Sequence, residues 1–335
     1  MTALMAASAL IAVALITALV RRQALERGAL DIPNERSSHT VPTPRGGGIA
    51  IVLVVSAAGV ALWLLRRIDL ALLMALLGGL AVAVVGFIDD RQHLKAGPRL
   101  LVHAAAALWA LAWLGGLPPV QLGEHLHSGG AAGYVLGVLG IVWVLNLFNF
   151  MDGIDALAAS EGAFIAFGGA LTAALVSVAD VAWQPAVVVG AACCGFLLWN
   201  WPPARIFMGD VGSGYLGYVI AVLAVAATRT DPVALLVWLI LGSLFWADAT
   251  VTLARRVLRG ERAHAPHRSH AYQHLARRFG DHRRVTLLAT AINLCWLLPW
   301  ALYAELHPSR ALGCTLAALL PLLVLVYLAG AGRPE

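Results

Sequence analysis

Asn146, Asn149, Asp152 and Asp155 fall three residues apart in the run Asn146-Leu-Phe-Asn149-Phe-Met-Asp152-Gly153-Ile-Asp155. This places two amides and two carboxylates in a chain otherwise built from apolar segments, a setting that calls for a ligand or a capping role. On an ideal helix, residues three apart step about 60° around the axis, so Asn146 and Asp155 would lie on opposite sides. Gly153 offers a way out, because a glycine can end or bend the helix and let Asp152 and Asp155 turn towards a common point. A polar loop capping two helices is the plainer account of the same residues.

Four further stretches carry chemistry. Asp89-Asp90 follow an apolar run directly, and adjacent carboxylates at a membrane boundary repel each other unless something positive compensates. Magnesium with a phosphate would serve, as would a solvated helix end shared with Arg91. In Asn200-Trp-Pro-Pro-Ala-Arg205-Ile-Phe207-Met-Gly209-Asp210-Val-Gly212-Ser213, glycines flank Asp210 where the next span begins. Asp210 could hold a metal while free N–H groups and the positive helix end hold an anion. The loop from Asp31 to Gly48 is stiffened by prolines and ends in three glycines; its Arg36, His39 and Arg45 suit phosphates, or simply mark a basic linker. The last stretch runs from His264 to His274. It has no cysteine and many arginines, so a phosphate-binding or acid/base role for His270 fits better than zinc.

These clusters need helices to position them. The chain has 335 residues, 60% hydrophobic and 12% charged, with mean hydropathy +0.81. That composition is far from the soluble average and specifies an all-α, polytopic integral membrane protein. About eleven transmembrane helices are expected, near 3–20, 47–65, 69–88, 99–116, 132–150, 157–178, 182–199, 212–227, 232–253, 285–303 and 311–330, the first read as a retained helix because it is too long and too weakly basic in front for a signal peptide. Of the 23 basic residues, all but Arg66, Arg67, Arg229 and Arg310 fall in alternate connections. By the positive-inside rule those connections are cytoplasmic and the N-terminus is outside. Every candidate cluster lies on that side, in loops near 21–46, 89–98, 146–156, 200–211 and 254–284 of one transmembrane domain. A net charge of +5, scattered over several loops without an aromatic-basic groove, excludes nucleic acid and favours anionic lipid and a phosphorylated substrate. Cys193, Cys194, Cys295 and Cys314 all sit in apolar segments and read as packing residues. A secondary transporter would place its polar residues near span centres, whereas these clusters sit at span ends.

Taken in order over residues 31–275, the five motifs resemble the bacterial polyprenyl-phosphate N-acetylhexosamine-1-phosphate transferases. The resemblance implies a multi-pass protein of the bacterial inner (plasma) membrane with its active site on the cytoplasmic face. It would transfer an N-acetylhexosamine-1-phosphate from a UDP-sugar to undecaprenyl phosphate, releasing UMP, with Mg2+ as cofactor and Mn2+ able to substitute. It implies a reaction centre at Asp89 and Asp90, with Asp89 acting either as a base or by charge alone, and metal binding at Asp210. Asn146, Asn149, Asp152 and Asp155 match the N-x-x-N-x-x-D-G-x-D motif for nucleotide and metal, leaving open whether Asp152 or Asp155 touches the metal. Asn200 and Phe207 match positions bordering the uridine, and His270 opens the histidine motif associated with the phosphates. Ala156 stands where many members have glycine. His267-Arg-Ser-His270-Ala-Tyr272-Gln273 departs from the His-x-His-His form and resembles the branch that starts O-antigen or other surface polysaccharides. That branch uses 6-deoxy-N-acetylhexosamines such as UDP-N-acetylfucosamine or UDP-N-acetylquinovosamine; UDP-N-acetylglucosamine is the alternative donor. Dimers occur in the family, so the resemblance admits a homodimer.

Overall fold

A computed structural model describes residues 1–33, 41–92, 94–176, 181–261 and 267–334. The chain is helical nearly throughout. In order come α1 (Thr2–Glu26), α2 (Ile49–Leu64), α3 (Leu70–Leu77), α4 (Gly79–Gln92), α5 (Ala96–Leu114), α6 (Gly130–Met151), α7 (Leu157–Val176) and α8 (Trp183–Asn200). Then follow α9 (Asp210–Thr228), α10 (Ala234–Leu241), α11 (Ser243–Leu258), α12 (Ala271–Phe279), α13 (His282–Ile292), α14 (Leu298–Leu306) and α15 (Ala311–Leu328). The strands are short antiparallel pairs, β1 (Leu30–Asp31) with β2 (Thr43–Pro44) and β3 (Val120–Leu122) with β4 (His125–His127).

Each of the eleven expected segments is helical. Among the described residues nine helices are long and apolar enough to cross a bilayer, α3 with α4 and α13 with α14 counting as single spans. A tenth is the pair α10–α11, bent by 70° at Gly242. Inside the bend Ser243 Oγ and Trp246 Nε1 both donate to Leu239 O, at 2.9 and 3.0 Å, so the backbone oxygen freed by the break keeps partners. The remaining segment, α2, has only 16 residues. The π-helical turn Asn293–Leu297 joins α13 to α14 and precedes Pro299, whose missing N–H an α-helix would have needed.

Loop boundaries shift where helices outrun their apolar runs. Asp89 and Asp90 sit in the last turn of α4, and Asn146 and Asn149 lie within α6. The segment 254–284, expected as a loop, contains α12, whose burial rests on Ala271, Tyr272, Gln273 and Ala276.

The axis of the bundle is α9, in which every residue from Val211 to Thr228 is buried. α2, α4, α6, α7 and α10 pack around it. Small residues allow that approach: a Cβ on Gly48 would collide with the Gly212 backbone, and one on Gly86 with the Asp210 carbonyl. The N-terminus of α9 is thereby drawn against the N-terminal end of α2 and the C-terminal half of α4.

Candidate active site

The site is built outward from the first turn of α9. Gly209, at φ +76°, turns the chain into the helix, a left-handed conformation that glycine adopts without strain. The helix opens with unbonded N–H groups, and Asp90 of α4 caps them. Asp210 N donates to Asp90 Oδ1 at 2.9 Å and Val211 N to Asp90 Oδ2 at 3.2 Å. Asp90, expected at the reaction centre, therefore fixes the first turn of the helix that carries Asp210.

Asp210 itself is bracketed by two arginines. Arg45 Nη2 donates to Asp210 Oδ1 at 2.9 Å while its Nε reaches Asp90 Oδ1 at 2.9 Å. On the other side Arg99 Nη1 lies 3.5 Å from Asp210 Oδ2 and also pairs closely with Asp89 Oδ2. Leu94 N donates to Asp89 Oδ1 at 2.6 Å, so both oxygens of Asp89 are held. Arg45 is placed by the loop behind it: Gly46 N and Gly47 N donate to Phe207 O, Gly48 N donates to Met208 O, and Phe207 N donates to Pro44 O. Gly47 and Gly48 thus serve a close approach, since a Cβ on Gly47 would lie 2.7 Å from the Phe196 ring and 3.2 Å from Ile206, and one on Gly48 would strike the Gly212 backbone.

The Asn146–Asp155 motif divides at its turn. Asn149 Nδ2 donates to Ser213 Oγ at 3.2 Å and Asn146 Nδ2 to Val142 O at 2.7 Å, and both asparagines face a small cavity shared with Asp89, Arg99 and Asp210. Asp152 ends α6. Burial raises its carboxyl well above the usual range; Arg45 pulls the other way, and Asp210, Asp90 and Asp155 push it further up. Asp155 faces elsewhere. Its Oδ2 accepts from Ala204 N at 2.9 Å and its Oδ1 lies 3.3 Å from His282 Nδ1. It lines an open cleft of about 530 Å³ with Thr43, Pro203, Phe207, His282 and Arg283. Asn200 is a strut: its Oδ1 accepts from Ala156 N and its Nδ2 donates to Ile206 O, both at 2.9 Å, on a residue 4% exposed.

His270 pairs with a different aspartate, Asp248 of α11. Its ring stacks with Phe150 at 6.3 Å and with Tyr272 at 5.6 Å between centroids, with His267 5.0 Å away. Its Nδ1 lies 3.2 Å from Asp248 Oδ1. Asp248 also receives Ala271 N and Tyr272 N, capping α12 from inside α11, while Tyr272 Oη donates to Phe150 O at 2.9 Å. Burial, with His270 and Arg256 nearby, holds the His267 imidazole down at about 4. Arg36 and His39 lie outside the described residues.

Sequence reasoning missed Arg99 and Asp248. Arg99 counted only as a cytoplasmic charge, although its place in the first turn after the Asp89-Asp90 loop was a signal. Asp248 lies within the segment expected at 232–253, where an ionisable side chain needs a partner. The spans also bury Glu161, which accepts from Asn293 Nδ2 at 2.6 Å and pins α7 to the π-helical turn.

Among the described residues, Asp89, Asp90, Asp152 and Asp210 around the α9 terminus meet two basic groups, Arg45 and Arg99. This surplus of negative charge suits a cation held by hard oxygen atoms.

The description "Glycosyl transferase family 4" matches residues 72–228. The chain is 31% identical to the probable undecaprenyl-phosphate N-acetylglucosaminyl 1-phosphate transferase of Bacillus subtilis, over 83% of this chain and 78% of that protein. It is likewise 31% identical to the decaprenyl-phosphate N-acetylglucosaminephosphotransferase of Mycobacterium tuberculosis, over 81% of this chain and 75% of that protein. A phospho-N-acetylmuramoyl-pentapeptide-transferase of Chlorobium phaeovibrioides is 29% identical over 85% of this chain and 80% of its own length.

Proposed function

This chain belongs to glycosyl transferase family 4, as a polyprenyl-phosphate hexosamine-1-phosphate transferase, and from that premise we propose the reaction it carries out. A phosphate oxygen of undecaprenyl phosphate attacks the sugar-linked phosphorus of a UDP-N-acetylhexosamine. The new P–O bond gives lipid diphosphate-sugar, the bond between the two donor phosphates breaks, and UMP leaves. The observation that carries this reading is Asp210 held between Arg45 and Arg99 at the start of α9, beside a small cavity it lines with Asp89, Asn146 and Asn149.

The 530 Å³ cleft has the size and lining of a nucleotide site, with the Phe207 ring and polar groups at its wall. Apolar grooves of about 410 Å³ beside Met151 and Tyr272, and of about 310 Å³ beside Ile141 and Trp246, offer a place for the prenyl chain. Phosphoryl transfer asks for positioning and charge stabilisation more than for covalent help from the protein. Arg45 and Arg99 are the groups that turn from carboxylates to phosphates as the substrates arrive. Asp89, tied to Arg99, orients that guanidinium and acts by charge; an ionised lipid phosphate needs no base.

The donor set also fits magnesium. Among the described residues no three His, Cys, Asp or Glu side chains converge on one point, and magnesium commonly takes only one or two carboxylates beside phosphates and water. Asp210 and Asp152 would hold the ion, which supplies neutralisation of the phosphate charge when bound.

The excess of basic residues in the loops on the site's side supports a cytoplasmic position for it in a bacterial plasma membrane. For the donor we propose a 6-deoxy-N-acetylhexosamine, on the His267–Gln273 segment, and a role in starting a surface polysaccharide such as O-antigen. UDP-N-acetylglucosamine is the second reading, favoured by the names of the Bacillus and Mycobacterium relatives. Purified protein incubated with magnesium, undecaprenyl phosphate and a panel of UDP-sugars should release UMP, fastest with its own donor. No UMP from any of them, with the fold confirmed, would overturn the assignment.

A further inference from the structure

α5 presents two residues one turn apart to the ion pairs described above, Arg99 and His103. Arg99 meets Asp89 and Asp210 through Nη1 alone, so the aim of that nitrogen depends on what holds the rest of the guanidinium. Its Nε is buried without a protein partner among the described residues. So is Nδ1 of His103, on a residue 8% exposed. Both side chains line one cavity of about 20 Å³, whose other polar walls are Asp89, Asn146, Asn149 and Asp210.

Buried polar atoms in native proteins find partners, from protein or from ordered water. Arg99 Nε can only donate, and an imidazole nitrogen without hydrogen can only accept. A water molecule does both, and it needs about 10–15 Å³ of such space and two to four polar neighbours. We infer that this cavity is a built site for a single water, through which His103 Nδ1 holds the guanidinium of Arg99. His103 is then a positioning residue for phosphoryl transfer, acting on Arg99 without touching substrate. The kinetic part rests on the transfer reaction proposed above; the water site does not.

The two ring nitrogens can be separated by substitution. Asparagine carries an amide where histidine has Nδ1, and glutamine carries one where it has Nε2. His103→Asn should keep kcat within about threefold, whereas His103→Gln and His103→Leu should lose roughly 10- to 100-fold in kcat at unchanged KM, the scale of a misplaced catalytic group. Activity retained by His103→Leu, or restored by glutamine and not by asparagine, overturns the role of Nδ1. Should His103→Leu fail to fold, the asparagine–glutamine comparison decides. A high-resolution structure of the wild-type protein should show one solvent peak within hydrogen-bond distance of both Arg99 Nε and His103 Nδ1; a peak held by other atoms, or none, overturns the site. Wild-type protein that releases no UMP with any donor would refute the proposed reaction, and the solvent peak would still decide the water site.

Discussion

Asn200 holds Ala156 in a left-handed conformation: Ala156 has φ +65°, and its N–H donates to Asn200 Oδ1 at 2.9 Å. The turn that leads from Asp155 into α7 is therefore held by a side chain 44 residues away. An L-residue with a Cβ bears about 1–2 kcal/mol of strain there. Part of it is returned through the smaller freedom of alanine in the unfolded chain, about 0.4–1 kcal/mol. Ala156→Gly should thus stabilise by up to about 1 kcal/mol, seen as a higher melting temperature in detergent. Asn200→Ala should destabilise by about 1–3 kcal/mol, because two buried backbone groups lose their partner.

Asp210 and Asp90 sit side by side but should respond differently to substitution. Asp210→Asn removes a carboxylate from a crowd of like charges, so transfer should be abolished while the melting temperature stays level or rises. Asp90→Ala removes the cap of α9 and should lower stability by about 0.5–2 kcal/mol as well as activity. Circular dichroism melts beside UMP assays distinguish the two patterns. Arg99→Ala should lower kcat by roughly 10²- to 10³-fold, the scale of one lost donor to developing charge.

The raised carboxyl of Asp152 predicts that magnesium binding at the site proposed above depends on pH. The folded protein keeps this proton at pH values where the unfolded chain has lost it. In the absence of metal the stability contributed by Asp152 is therefore fully present below the usual carboxylate range and fades as pH rises towards the raised value. Metal binding must displace the proton, so magnesium affinity should climb with pH, up to about tenfold per unit, and level off once Asp152 ionises alone. Thermal-shift titrations with magnesium at stepped pH measure this slope, and Asp152→Asn should flatten it.

Asp248 should prove structural for α12. It caps two N–H groups of that helix and faces His270 from within α11. Asp248→Ala should destabilise by about 1–3 kcal/mol and loosen the segment from His267 to Phe279. Faster hydrogen exchange there, with α9 unchanged, is the expected readout. His267, held neutral by burial, binds a proton more readily in the unfolded chain, so its contribution to stability is lost as pH falls from its usual range towards about 4.

The helices were legible because runs such as Thr2–Val20 and Ala311–Leu328 are long and apolar, a signal that needs no knowledge of neighbours. Asp89, Asp90, Asp210 and Arg45 were legible as polar interruptions, and the structure joins all four. What the sequence hid were partnerships across the fold. Asn200 matched a position at the nucleotide, yet both ends of its amide are tied to backbone. Arg99 looked like any basic residue at a membrane edge until Asp89 and Asp210 met it. The break at Gly242 was equally hidden, since glycine is common inside spans and the stabilising contacts come from Ser243 and Trp246 folding back onto Leu239.

The complete enclosure of α9 has a bearing on how the protein meets its surroundings. With every residue from Val211 to Thr228 buried, other helices shield most of the rod on which Asp210 is mounted from the acyl chains around the bundle. Changes in bilayer thickness or fluidity reach the peripheral helices first, α1 and α15 among them, whose leucines face outward. The reacting end is thus insulated from lipid composition, and the same chain should run at similar chemical rates in thin and thick membranes.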